Sequence, residues 1–363
     1  MYDYIIVGSG LFGAICAREL TDAGKKCIVL EKRSHIGGNC YTEDVGGIHV
    51  HNYGPHIFHT NSQYVWSYIN KFATFNKFRL SPRVNFGGKI FSFPINLLTL
   101  HQVWGVKTPE EAEEKLQSVR VNIEDPKNME EWALSQIGEE LYKIFIYGYT
   151  KKQWGKDPSE LPAKILKRIP IRMNFNDNYF DDEYQGIPIG GYTQIFHKLL
   201  DGIEVKLSTD YLEDQTRLDL LGKKTIYTGG LDEFFAYDMG ELEWRSLRFQ
   251  HERLEVKDFQ GCAVVNYADM NIAHTRLCEH KHFEFGNQSH TVITREYPQL
   301  WDKSKEKYYP INDEKNNTLS KSYKSRIDQN KYIFGGRLAD YAYYDMHHVV
   351  ASALAAIKEE VAK

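Results

Sequence analysis

Cysteine is scarce in this chain and does not pair by pattern. Cys16, Cys27, Cys40, Cys262 and Cys278 are an odd set of five with no C-x-x-C among them. That excludes a disulfide framework or a zinc ribbon and suits reduced thiols in a cytoplasmic protein. No run comes near the roughly 18 apolar residues that a membrane helix needs. The sequence opens directly on a strand-like stretch, so no signal peptide is expected. Internal repeats and low-complexity linkers are also missing. Charge is nearly balanced, with 45 Lys and Arg against 49 Asp and Glu for a net −4. That balance disfavours a nucleic-acid partner and leaves room only for a local basic cleft.

Aromatic residues are plentiful, at 13% with 24 tyrosines, which favours sites that stack on rings. A chain of 363 residues holds one large or two medium domains.

The first 33 residues say most. "YDYIIVGSG" is an apolar run ending in glycine, as a buried parallel strand ends. "LFGAICARELTDAG" has apolar residues at helical spacing closed by Gly24, and "KCIVLEKR" is a second buried strand. Gly8, Gly10 and Gly13 therefore fit G-x-G-x-x-G in its proper strand–turn–helix context. Gly8 permits the tight turn, Gly10 lets backbone approach a pyrophosphate, and Gly13 lets helix pack on strand. The helix start supplies N–H groups and the positive end of a dipole. Glu31, at the end of the second strand, is placed to accept from ribose hydroxyls, unless it is a solvated strand-end charge. Gly37, Gly38 and Asn39 follow, a loop that suits the diphosphate of FAD and that an NAD site does not need.

Four histidines, His49, His51, His56 and His59, lie in "GIHVHNYGPHIFHTN". No Cys, Asp or Glu nearby completes a ligand set, so a polar turn over a flavin is expected there and no metal. Helical patterns ("SQYVWSYINKF", "PEEAEEKLQ") and a hairpin ("RVNFGGKIFSFP") follow. Strand and helix alternation returns around 190–235, then "GCAVVNYAD" and "HTVITREYP" read as strands of a second sheet. "KYIFGGRLADYAYYDMHHVVASALAAIKEEV" reads as strand, Gly-Gly-Arg turn and a long helix. In Rossmann-type flavoproteins such a helix aims its N-terminus at the flavin.

The expected architecture is α/β. A discontinuous Rossmann-type FAD-binding domain (1–80, 190–240, 330–363) carries a mostly helical substrate-binding insertion (95–185). An antiparallel sheet domain (80–95, 185–192, 240–330) completes it. Within the insertion, "YGYTKKQWGKDPSELPAKILKRIP" (147–170) sets six cationic side chains beside tyrosine and tryptophan and is broken by three prolines. That is a short helix plus a loop suited to an aromatic, anionic ligand. Lys151 and Lys152 read as solvated charges.

Taken in order, "IIVGSGLFGA", "EKRSHIGGN", "HIFHTN", "GYTKKQWG", "RIP", "YQGIPIGGYT", "EHKHF", "YYPIND" and "FGGRLADYAYYDMH" resemble the bacterial UDP-galactopyranose mutases. The resemblance runs from residue 2 to about 350 and is least distinctive between about 105 and 135. It implies an isomerase that interconverts UDP-galactopyranose and UDP-galactofuranose for cell-surface glycans. The reaction is a non-redox ring contraction through covalent attack by N5 of reduced FAD. It also implies a cellular flavin reductant and a homodimer.

Residue by residue, the resemblance implies cofactor contacts from Gly8, Gly10, Phe12, Gly13, Glu31, Gly38, Asn39, His56, Ile57, Gly336, Arg337, Asp345 and Met346. Arg168 and Arg276 become the diphosphate anchors, and His59 a catalytic neighbour of the flavin. Phe145, Tyr149, Trp154, Tyr179, Asn266, Tyr309 and Tyr343 become substrate contacts. Ile146 departs from relatives that carry a second aromatic there, leaving the uracil one ring. Two other readings use the same fold: a net-redox flavin enzyme of the amine oxidase type, and a non-enzymatic binding module like the GDP-dissociation inhibitors.

Overall fold

A computed structural model describes residues 1–166 and 169–362. The chain forms two compact units, one of Met1–Lys77, Asp182–Trp244 and Lys307–Lys363, the other of Phe78–Asp181 and Arg245–Glu306. The helical insertion and the antiparallel sheet, expected as separate domains, thus lie together in the second unit. The stretch from 307 to 330, expected with the sheet, lies in the first.

The first unit is built on β1 (Tyr2–Val7), α1 (Leu11–Asp22) and β2 (Cys27–Leu30). Its five-stranded sheet runs Tyr332–Phe334, Gly222–Tyr227, β1, β2, Glu204–Lys206, with every pair parallel. A parallel sheet is covered on both faces, and so its strands read as continuous apolar runs. Ile5, Ile6, Ile28 and Val29 are wholly buried, each contributing about 1.5–3 kcal/mol relative to exposure. Helix α1 packs against the last helix, Met346–Val361.

In the second unit the strands run Trp244–Leu254, Thr291–Leu300, Arg276–Glu279, Val264–Tyr267, Arg83–Phe86, Lys89–Ser92. All neighbours are antiparallel except Val264–Tyr267 with Arg83–Phe86. Helices and a wide turn accompany the sheet. Leu97–Trp104 is capped by Asn96, and Pro109–Val119 starts on Thr108 with Pro109 and two acids in its first turn. Asn128 caps Met129–Leu141 by accepting from the Glu131 N–H at 2.9 Å. That helix breaks at Gly138, whose φ of +70° and 2.5 Å clearance to the Val119 carbonyl leave no room for a side chain. The chain then makes a wide π-type turn over Tyr142–Tyr147 before the short helix Gly148–Trp154.

Candidate functional site

The glycine loop after β1 is closed around backbone. A side chain at Gly8 (φ +97°) would lie 2.2 Å from Thr228 Oγ1, and one at Gly13 would lie 2.0 Å from the Gly8 carbonyl. Gly10 and Gly38 face each other so closely that a Cβ on Gly38 would stand 3.0 Å from Gly10 Cα. No side chain caps α1, so its first N–H groups remain for an anion. Bare backbone on both sides of a helix start suits a dinucleotide diphosphate.

Glu31 is 5% exposed, which removes the solvated-charge reading. Its Oε2 accepts from the Ser9 amide at 2.8 Å and the Ser9 hydroxyl at 2.7 Å, and its Oε1 from the Arg33 amide at 2.9 Å. The carboxylate therefore ties the end of β2 to the glycine loop. Asn39 Oδ1 accepts from Arg33 Nη2 at 3.0 Å. Phe12 fills the space that a side chain on Gly335 would need, 2.0 Å from its ring, and also crowds Gly336 at φ +88°. The start of α1 thus packs on the Gly-Gly-Arg turn, and the guanidinium of Arg337 donates to the carbonyls of Tyr308 and of Lys307, the latter at 3.1 Å. Burial pulls the Arg337 pKa down, while Tyr309, Tyr308 and Tyr343 oppose the change. Tyr309 and Tyr343 stack at 5.9 Å.

In the same unit, Nδ1 of buried His59 lies 2.5 Å from Asp182 Oδ2, and Asn61 donates to the other oxygen at 2.6 Å. His347 approaches the His59 ring edge-on at 5.0 Å, and burial, then His348 and His59, push its pKa down. One ligand atom from each of His59, Asp345 and His347 lies within 4.8 Å of the others. The acid missing from the sequence around His59 therefore arrives in space from the start of the last helix. His56 holds the Gly54 carbonyl at 2.8 Å, its own amide donates to His51, and Ile57 is buried. Met346 Sδ lies 3.8 Å from Cys40 Sγ.

The second unit gathers a polar cluster on its sheet. Arg276 donates from Nε to Asn266 Oδ1 at 3.3 Å, from Nη1 to Glu296 Oε1 at 3.3 Å, and from Nη2 to the Tyr149 hydroxyl at 3.0 Å. Glu296 is 1% exposed. Burial raises its pKa and Arg276 opposes the rise; Tyr149 is raised by burial in the same way, again against Arg276. A guanidinium held on three edges by neutral and anionic partners is a fixed cationic fork.

Trp154 and Tyr179 are half-buried in this unit, Tyr179 tilted on Phe93 at 6.3 Å. Phe145 is a core residue, stacked on Phe93 at 6.0 Å with its edge to Phe91, and Ile146 is equally buried. Arg168 lies outside the described residues. The candidate residues thus divide: cofactor residues, His59, Tyr309 and Tyr343 in the first unit, and Phe145, Tyr149, Trp154, Tyr179, Asn266 and Arg276 in the second.

A model of the UDP-galactopyranose mutase family matches residues 144–343, and one of NAD(P)-binding Rossmann-like domains matches 6–72. The chain belongs to the UDP-galactopyranose mutase family. It is 39% identical to a dTDP-fucopyranose mutase of Escherichia coli over 98% of this chain and 97% of that one. It is also 39% identical to a probable UDP-galactopyranose mutase of Klebsiella pneumoniae, over 96% and 92%. The crystal structure of a reduced UDP-galactopyranose mutase shares the fold, with TM-score 0.78 and 14% identity over 100% of this chain and 96% of that one. Mutases are isomerases, and this chain is an enzyme of that class with a Rossmann-type dinucleotide domain. No helix among the described residues is long and apolar enough to cross a membrane.

Lys152 overturns one expectation. Its ammonium is not solvated but donates to four carbonyls, those of Tyr267 and Asp269 at 2.8 Å, Ile272 at 2.9 Å and His274 at 3.1 Å. One helical turn earlier, a side chain on Gly148 would stand 1.9 Å from the Ala268 carbonyl. Backbone contact and ammonium together clasp the helix Gly148–Trp154 to the 267–274 loop. Lys151 pairs with Asp157 at 2.7 Å on the surface. Glu296 and Asp182, which hold Arg276 and His59, are absent from the expected set.

Proposed function

We propose that the chain interconverts UDP-galactopyranose and UDP-galactofuranose, using FAD in its reduced state. The observation that carries this is the Arg276 fork, a fixed cation among Tyr149, Asn266 and Glu296, in a chain that also has a bare-backbone diphosphate cradle. Arg276 binds the substrate diphosphate and stabilises the nucleoside diphosphate as it leaves, with the Tyr149 hydroxyl beside it. Arg168 supplies the second cation. Trp154 and Tyr179 offer apolar ring surface for base and sugar, with Phe145 buried in the core behind them, and Tyr309 and Tyr343 offer hydroxyls to the substrate.

The glycine loop, Glu31, Gly38, Asn39, His56, Ile57, Gly336, Arg337, Asp345 and Met346 hold FAD. Held there in its reduced form, the flavin would supply nucleophilic chemistry toward the sugar. Arg337 and the start of the helix Met346–Val361 would favour the negative charge that reduction leaves on the bound group. His59, fixed by Asp182 at Nδ1, acts beside the flavin. The enzyme works in the cytoplasm as a homodimer, takes electrons from a cellular reductant and supplies galactofuranose for cell-surface glycans.

The test is turnover of UDP-galactofuranose to the pyranose, followed by chromatography, before and after dithionite reduction. The oxidised protein should be silent, and the reduced protein active without stoichiometric loss of reductant. Activity of the oxidised protein with one equivalent of electron acceptor consumed per turnover would favour the amine oxidase type of chemistry instead. A second substrate reading, dTDP-fucose, is favoured by the equal 39% identity to the Escherichia coli relative. It is tested by running both nucleotide sugars in competition.

A further inference from the structure

Lys307 and Asp232 form an ion pair deep in the first unit, at 4% and 0% exposure. Lys307 Nζ lies 2.8 Å from Asp232 Oδ1 and 3.0 Å from Glu233 Oε1. Around it stand the rings of Tyr237 and Trp244, at 5.6 and 5.8 Å from the ammonium. Asp232 is itself fixed, accepting from the Leu242 amide at 2.9 Å and the Glu233 amide at 3.1 Å. Such a pair gives weak net stability, because desolvating two charges offsets most of their attraction. Its position in the chain is more telling than its energy.

The main-chain carbonyl of Lys307 and that of the next residue, Tyr308, are the two acceptors of the Arg337 guanidinium. Tyr309, one residue further, stacks on Tyr343. A lysine anchored by its side chain thus fixes two carbonyls, and those carbonyls fix the plane of Arg337. Arg337 has no carboxylate within ion-pairing distance among the described residues. Its orientation rests on this backbone and on the Trp244 ring, 6.0 Å from the guanidinium carbon.

We propose that Lys307, through its buried pair with Asp232, is a positioning residue that sets the Arg337 guanidinium toward the cofactor and the Tyr309 ring toward the substrate. The inference rests on the reading of Arg337 as a cofactor residue.

The test compares holoenzyme of wild type, K307M/D232L, D232N and R337K. The double substitution exchanges the pair for apolar groups and, apart from the acceptor lost to the Leu242 and Glu233 amides, should cost little stability. Its flavin should nevertheless bind about tenfold more weakly by fluorescence recovery. The midpoint of the bound flavin should move to more negative potential, and kcat should fall more than KM rises. A purely structural pair would leave affinity and midpoint unchanged in the folded variant, and that result overturns the proposal. Should the double variant not fold, D232N, which keeps an oxygen for Lys307, must show the same shifts in smaller size; unchanged values there overturn it equally. R337K separates the two layers. If it alters neither affinity nor midpoint, the cofactor reading of Arg337 falls and the proposal with it. If it alters them and the Lys307 and Asp232 variants do not, only the positioning role falls.

Discussion

Arg276 and Glu296 face each other across neighbouring antiparallel strands, with Nη1 3.3 Å from Oε1 and the carboxylate 1% exposed. Removing the guanidinium therefore does two things. It deletes an anchor for the diphosphate and strands a buried carboxylate. Arg276→Ala should lower kcat/KM by about ten- to hundredfold or more, since a charge-assisted hydrogen bond is worth about 1.5–3 kcal/mol. It should also destabilise the fold, and adding Glu296→Gln should restore part of the stability but none of the activity. Steady-state kinetics with thermal melts of the three variants read both effects. Activity near wild type in Arg276→Ala would remove the anchor from the mechanism.

Glu31 links Ser9 and Arg33, so its loss loosens the cradle as well as any ribose contact. Glu31→Gln, which keeps acceptor and shape but adds a donor, should weaken flavin retention about tenfold. Flavin stoichiometry after extensive dialysis measures it. Full retention in Glu31→Ala would show that the carboxylate serves neither purpose.

Lys152→Met leaves four carbonyls without their shared donor. A cost of about 3 kcal/mol is expected, from unsatisfied buried acceptors. Urea titration followed by tryptophan fluorescence should show an earlier midpoint. A surface lysine would give a change within about 0.5 kcal/mol, and that outcome would refute the clasp.

Acid should act through Glu279. Burial alone would raise its pKa, but the His282 ring 3.4 Å away and hydrogen bonds from Thr291 and the Gln260 and Phe259 amides outweigh it and bring the group to about 2, against an ordinary 4.5. A carboxylate depressed in the fold adds stability that is present above pH 4.5 and is lost as pH falls toward 2. The urea midpoint of wild type should drop between pH 5 and pH 3. Glu279→Gln should start lower at pH 5 and drop less. Parallel curves for the two proteins would exclude Glu279 as the acid-sensitive group.

The dinucleotide cradle was legible because its signals are local. Gly8, Gly10 and Gly13 fall within six residues, and Gly8 and Gly13 each answer a contact that backbone alone allows. The Arg276 cluster was legible only in part. Tyr149 came through the ordered motifs and Asn266 through the family resemblance, whereas Glu296 sits in "TREYP" as an ordinary strand acid whose partner lies twenty residues away on the neighbouring strand. Lys152 misled for a related reason. Its acceptors are carbonyls more than a hundred residues downstream, and no side-chain pattern records where a carbonyl points. Gly148, a glycine inside an aromatic helical run, was the available hint of close backbone approach. The pairing of His59 with Asp182 crosses a similar gap in the chain.

The parallel sheet of the first unit has its middle strand at Tyr2–Val7 and its edge strand at Tyr332–Phe334, and the helix that covers it ends at Val361. During synthesis the amino-terminal strands therefore emerge long before the partners that complete their sheet. The second unit is closed once residue 306 has left the ribosome, while the nucleotide unit still lacks its last strand and helix. Nascent β1 and β2, apolar on both faces, must wait exposed through most of translation. The order of birth is thus the reverse of the order of completion. A ribosome stall anywhere before about residue 334 leaves an open apolar sheet, the kind of surface that chaperones bind.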